Sequence, residues 1–375
     1  MIHRGVSLYS YQQAQFFKQL NLEEQIREVT TNLCGADGIE LLDEQALRKY
    51  PHPDPEFFDQ WYSWLEKYKA VPVTMDVFGD VLQFRDHVQS YHENAERLMS
   101  DIRLAKKLGF KNVRVLATCP IEVLKIALPV AEECDIRLGK EIHAPIPLNG
   151  QYVNEILDVV QKTGTRHLGI VPDWGIFAFR PSEVTLDWYM RHGAKKEACE
   201  LVTELCMDNR SGKSTILTDI DLSKYTAGNV ESSFYRYLKV HDAPADLKPA
   251  FELMISLIKD HVKDYSDIDF EVMAQALLLS HADPEDLRAL QPIIVSIHGK
   301  FYNMSEIPGS PAHYQDISID YENPIRVLKE IGYDGYINSE YEGQRRFQDR
   351  TEKELISEVD QVRKHQEMLK RLLEA

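Results

Sequence analysis

Four short segments of the sequence end an apolar run in a side chain able to bind a metal. KEIHAP, VPDWG, SIHGK and SEYEG supply Glu141, Asp173, His298 and Glu340. Alternate residues of a strand share one face, which puts His143 beside Glu141 and Lys300 beside His298. Three carboxylates and one imidazole suit a hard or borderline divalent cation better than a thiolate zinc site would. Mn²⁺ is the first expectation, with Mg²⁺, Co²⁺ or Zn²⁺ as alternatives. A carboxylate buried on a strand is costly unless it is paired or bound to a cation. One such residue is as readily explained by a helix cap or an arginine partner. Four at strand ends point to a metal centre, in an enzyme acting on a polyol or sugar.

His143 is the candidate base, because it shares the Glu141 face without being needed as a ligand, and an imidazole suits proton abstraction near neutral pH. The plainer alternative is a histidine that orients another group. Lys300 is placed to polarise a substrate oxygen or simply to pair with a nearby acid. Glu342 and Arg346, just past Glu340, are candidates for contacts with substrate hydroxyls. Two other motifs carry no function. SGKST at Ser211–Thr215 ends like a phosphate-binding loop, but Met207 stands where that loop needs glycine. The glycosylation-like triplets at Asn209 and Asn303 are read as chance.

The elements that must position these residues are legible as eight strand-like runs. They are GVSLYS, GIELL, VPVTMDV, NVRVLA, IRLGKEIH, HLGIVPD, PIIVSIH and YINSEY, mostly rich in Val, Ile and Leu as parallel strands covered on both faces are. Helical patterns lie between them. Asn21 and Glu24 form a capping box ahead of Leu22, Ile26, Val29 and Leu33. Leu98, Ile102 and Leu108 make a stripe that Gly109 ends. Thr351 and Glu354 form a second capping-box pattern before an apolar stripe that runs to the C-terminus. Strand and helix in eightfold alternation predict a (β/α)₈ barrel over residues 1–180 and 291–375, with its functional side chains at the C-terminal strand ends. About 115 residues between Asp173 and the strand of His298 break the rhythm. Residues 181–290 are expected to form a long helical insertion on the catalytic, partner-facing side, at the seventh and eighth strand positions. Its helices are expected over Asp187–Met207, Leu247–His261 and Phe270–Leu279.

Composition narrows the class. A hydrophobic fraction of 43% in 375 residues allows a large core, and a mean hydropathy of -0.37 fits a soluble protein. No apolar run approaches a membrane span, and the N-terminal residues show no signal region. The five cysteines include no CxxC, which fits reduced thiols and a cytoplasmic location. A net charge of -17 repels phosphate backbones and disfavours nucleic acid as a partner.

The strand-end series Glu141, Asp173, His298 and Glu340 resembles the xylose-isomerase-like superfamily of sugar isomerases and epimerases across essentially the whole chain. GVSLYSYQQ at Gly5–Gln13, KEIHAP, NSEYEGQR at Asn338–Arg345 and the closing VDQVRKHQEMLKRLL are similar to the α subunit of bacterial C-glycoside deglycosidases. That resemblance implies Mn²⁺ held by the four residues, His143 as acid/base, and a small β-rich partner subunit in a hetero-oligomer. It implies a 3-oxo-C-glycoside of an aromatic aglycone as substrate. The glycosidic C–C bond would be cleaved by enolisation and β-elimination, a lyase-type reaction, with C–O bonds open to the same route. The alternative is an aldose–ketose isomerase or sugar epimerase of the same superfamily.

Overall fold

The computed structural model describes residues 1–375 except 80, 83, 218 and 224. The main sheet contains β1 (His3–Ser7), β2 (Gly38–Leu42), β3 (Val71–Val77), β4 (Asn112–Val115), β5 (Arg137–Ile142), β6 (Leu168–Pro172) and β7 (Ile297–Phe301). A hairpin of β8 (Met304–Glu306) and β9 (Tyr314–Asp316) follows, and β10 (Tyr336–Tyr341) returns to the main sheet. Its eight parallel strands run in the order β6-β5-β4-β3-β2-β1-β10-β7. Parallel bridges Ile170–Ile294 and Asp173–His298 join the two ends. The sheet thus closes into the expected (β/α)₈ barrel. The small hairpin was not foreseen, since strands of three residues carry too little periodicity to read.

Ile39, Met75, Val113, Leu138, Ile170, Ile297 and Ile337 are all fully buried and belong to one apolar cluster. These are the apolar strand residues that the sequence marks as covered. The outer helices begin and end where their caps dictate. The Asn21–Glu24 capping box opens helix Leu22–Asn32, and Gly109 closes helix Tyr91–Leu108 with φ of 84°. Several boundaries differ from expectation; the first strand, for one, runs His3–Ser7 and gives way to a 3-10 turn at Leu8. The seventh strand starts at Ile297, because Gln291–Ile293 forms a 3-10 turn with Pro292 near its start. The Thr351–Glu354 capping box forms but closes only the 3-10 turn Glu352–Glu354. The C-terminal helix, Glu358–Glu374, is capped instead by Ser357.

Between β6 and β7 lie helices Glu183–Arg191, Lys196–Arg210, Ala227–Val240, Lys248–His261 and Asp267–Ala274. They follow the sixth barrel strand, one position earlier than the seventh and eighth positions expected from sequence. Val202, Phe234, Phe251, Met254 and Met273 give these helices an apolar cluster of their own. The helix expected over Asp187–Met207 is two helices, broken at Gly193 with φ of 104°. The one expected from Phe270 starts at Asp267 and passes into the 3-10 turn Gln275–Leu278. Ala227–Val240 was not foreseen: Gly228, Asn229, Ser232 and Ser233 weaken its helical signal. Among the described residues no helix is long and apolar enough to cross a membrane.

Candidate metal centre

Each of the four residues reaches the barrel mouth from a different barrel strand, although His298 is second of five in β7 and not at its C-terminal end. Glu141 is next to last in β5, His298 lies in β7, and Glu340 lies in β10 as register partner of Lys300. Asp173 follows β6 and caps a 3-10 turn, its Oδ1 accepting the Gly175 N–H at 2.7 Å. All four are buried, and their ligand atoms lie within 4.8 Å of one another. One divalent ion can bridge that spacing with bonds of roughly 2.0–2.6 Å.

The charges around this point do not balance. Glu40, Asp76, Glu141, Asp173, Glu340 and Glu342 are buried carboxylates, against the buried cations Arg114 and Lys300. Lys300 Nζ lies 2.8 Å from Asp173 Oδ2 and 3.0 Å from both Glu340 Oε2 and Glu342 Oε1. Arg114 lies 3.2 Å from Asp76. Burial pushes the Asp76 carboxyl well up, and Arg114 offsets this only in part. Burial disfavours a charged His298, yet Glu340 and Glu40 draw its pKa well above the ordinary imidazole value. The centre therefore calls for further positive charge. Asp173 Oδ2 and Glu340 Oε2 share the single Lys300 ammonium, and His298 Nδ1 faces two carboxylates, Glu141 and Glu340. Buried carboxylates that outnumber their cationic partners are expensive. Four such ligand groups converging on one point fit a divalent cation.

A second group, Glu40, Asp76 and His298, also lies close enough to hold an ion. Its members are otherwise engaged. Asp76 faces Arg114, and Glu40 accepts a 2.8 Å hydrogen bond from Asn338 Nδ2. Glu40 Oε1 is 3.1 Å from His298 Nε2, whereas His298 Nδ1 faces Glu141 at 3.2 Å and Glu340 at 3.3 Å. Glu40 thus sits behind the imidazole and leaves Nδ1 toward the four-residue centre, the usual arrangement behind a histidine that binds a metal. Glu40, Asp76 and Arg114 escaped the reading of strand ends. A charge inside the apolar runs GIELL, VPVTMDV and NVRV is the one trace they leave in the sequence, and it does not tell a barrel-facing residue from an exposed one.

The centre opens into a cavity of about 320 Å³ whose walls include Glu141, His143, Lys300, Glu340, Glu342 and Arg345. His143 is half-buried, and its Nδ1 lies 2.7 Å from the carbonyl oxygen of Ala144. A carbonyl only accepts, so Nδ1 carries the proton and the Nε2 lone pair is left for chemistry. Arg346 does not line this cavity; its guanidinium stacks 5.5 Å from the Trp188 ring. The neighbouring Arg345 takes the wall position, donating to Tyr9 Oη at 2.6 Å and pairing with Glu342 at 2.9 Å.

No family model matches the chain. Curated proteins do. The 3'-dehydrocarminate deglycosidase alpha subunit of Microbacterium sp is 26% identical over 340 residues, 90% of this chain and 88% of that protein. The chain is a relative of C-glycoside deglycosidase alpha subunits. One from Microbacterium trichothecenolyticum is 27% identical across 91% of this chain and 83% of its own length. Another from Arthrobacter globiformis is 28% identical across 91% and 84%. Among solved structures, the IOLI protein with a binding zinc atom superimposes with a TM-score of 0.51. The alignment covers 99% of this chain and 98% of that one at 11% identity, a likeness of fold.

Proposed function

We propose that this chain is the catalytic alpha subunit of a metal-dependent C-glycoside deglycosidase acting on 3-oxo-glycosides. The observation that carries this is the excess of buried carboxylate at the barrel mouth, in a chain whose relatives bear that name. Glu141, Asp173, His298 and Glu340 would hold the ion, Mn²⁺ foremost by donor type. A divalent cation there would supply Lewis-acid stabilisation of charge developing on the C3 oxygen of the sugar.

The chain's own residues account for the rest. A C–C bond to an aromatic ring has no basic leaving oxygen, so protonation by paired carboxylates is of little use. A ketone at C3 makes the C2 hydrogen acidic and sets the aglycone at C1, β to the carbonyl. His143 Nε2 moves a proton, either from C2 or from a phenolic hydroxyl of the aglycone. The C1–aryl bonding pair leaves with the ring carbon, which is protonated there. The proton lost from C2 equals the one gained, giving the free aglycone and a 1,2-unsaturated 3-keto sugar. Lys300 and Glu342 hold the charged wall against the sugar, and Arg345 fixes Glu342.

The name alpha subunit borne by the relatives supports a partner chain. We take it to be a small β-rich subunit in a hetero-oligomer, with residues 181–290 facing it. The test uses this chain, tagged in its own host and purified with whatever subunit accompanies it. A 3-oxo-C-glucoside should release aglycone, whereas the same glucoside with an intact C3 hydroxyl should not. EDTA should abolish release and Mn²⁺ restore it. Turnover of free aldoses without release from 3-oxo-glycosides would replace this function with isomerisation or epimerisation.

A further inference from the structure

The cavity over the metal centre has two chemically different sides. Glu141, Lys300, Glu340 and Glu342 line it from β5, β7 and β10, whereas Leu42, Phe78, Leu116 and Ala117 line it from the ends of β2, β3 and β4. Those three strands are neighbours in the barrel, as are β10 and β7. The β2–β4 arc of the mouth is thus mainly apolar, with Arg114 and Thr118 as its polar members. A free sugar carries hydroxyls all round and finds few partners on that arc. A sugar bearing a flat apolar substituent matches both arcs.

The cavity has a third wall outside the barrel, formed by Thr226, Ala227 and Gly228. These residues open helix Ala227–Val240 of the insertion. Val230, Phe234 and Tyr237 bury that helix in the insertion's own apolar cluster. Its first turn is fixed by a reciprocal capping box, with Asn229 N–H donating to Thr226 Oγ1 at 3.4 Å and Thr226 N–H to Asn229 Oδ1 at 3.2 Å. A side chain added at position 228 would thus project from a pinned turn.

Nothing local demands glycine there. A Cβ at Gly228 meets no atom within 4 Å, and its φ lies outside the positive range. Gly164, Gly193, Gly212, Gly309 and Gly332 are equally uncrowded, but each has a positive φ that explains it. Glycine is also a weaker helix former than alanine. Gly228 is exposed and lines the cavity, so the space beside it is open to what enters there. We propose that Gly228 is a specificity-determining residue that leaves room for the aglycone of the glycoside. This rests on the deglycosidase reading, and it assigns the insertion a share in substrate selection.

The experiment compares two 3-oxo-glucosides, one with a single-ring phenolic aglycone and one with a three-ring aglycone. The complex purified from its host is assayed as wild type, Gly228→Ala and Gly228→Phe. The ratio of kcat/KM for the small over the large aglycone should rise about 10–100-fold in Gly228→Phe, the scale on which pocket volume discriminates. Most of the rise should come from KM for the large aglycone, and Gly228→Ala should shift the ratio less. An unchanged ratio, with aglycone still released, would overturn the role of Gly228 and leave the deglycosidase reading intact. No release by wild type from either glucoside would overturn that reading and this proposal with it. If Gly228→Phe fails to unfold cooperatively, Gly228→Leu carries the same comparison.

Discussion

Lys300 Nζ sits 2.8 Å from Asp173 Oδ2, and both groups are buried beneath the cavity. The ammonium also touches Glu340 and Glu342, so it shares two of the four residues proposed to bind a cation. A divalent ion and an ammonium among the same carboxylates repel each other, and the retention of both needs a purpose. Holding positive charge near a developing oxyanion is such a purpose.

Lys300→Met should therefore keep the ion and bind Mn²⁺ at least as tightly as wild type, because a competing positive charge is gone. Turnover should fall about 10²–10³-fold, as when one preorganised donor is lost. Titration calorimetry beside steady-state kinetics reads both. A folded Lys300→Met that no longer binds Mn²⁺ would make Lys300 a brace for the carboxylates rather than a catalytic group.

Glu40 gives a second test, since it lies behind His298 rather than on the ligand side. Glu40→Ala should weaken Mn²⁺ affinity about 10–100-fold, the usual effect of removing a group that orients a metal-binding histidine. Glu40→Gln, which keeps an accepting oxygen, should recover most of the loss. Equal affinity in wild type and Glu40→Ala would show that the strand alone orients the imidazole.

The barrel was legible because its strands are apolar runs with turn residues between them, and Glu141, Asp173, His298 and Glu340 stand where those runs stop. The structure brings these four together. Glu40, Asp76 and Arg114 were not legible, because a charge inside a strand reads as exposed until barrel closure turns it inward. Arg345 and Arg346 show the same limit at a smaller scale. Adjacent residues in the 3-10 turn Gly343–Phe347 point in different directions, and spacing alone does not say which one faces the cavity. The wall at Thr226–Gly228 depends on how the insertion packs, which no local pattern encodes.

Glu358 provides a prediction away from the metal centre. It lies on the C-terminal helix, its Oε2 accepting the Ala14 N–H at 3.1 Å, and burial pushes its carboxyl up to about 7 despite that bond. The folded chain then holds this proton more tightly than the unfolded chain, whose carboxyl titrates near 4.3. Its contribution to stability is greatest below that value and is lost as pH rises toward about 7. The loss amounts to about 4 kcal/mol at most. Glu358→Gln mimics the protonated group at every pH. Its Tm should match wild type near pH 4 and exceed it by a few degrees near pH 8. Parallel Tm curves across that range would show that the Glu358 carboxyl ionises at no cost to the fold.

Substitutions at Glu141 and His143 separate ion binding from proton transfer at the end of β5. Glu141 and His143 stand two residues apart, and both line the cavity. Glu141 faces His298 Nδ1, whereas His143 Nδ1 is held by the Ala144 carbonyl oxygen, which leaves Nε2 to move the proton. His143→Ala should therefore keep the ion and the fold while kcat falls about 10²–10⁴-fold, the range for loss of a general acid or base. KM should change less, because the group acts in the transition state. Glu141→Ala should lose ion and activity together. Metal content by mass spectrometry must accompany the kinetics, since a shift of β5 in His143→Ala would disturb Glu141 as well. Near-normal kcat in a folded, metal-loaded His143→Ala would remove the proton-moving role from His143.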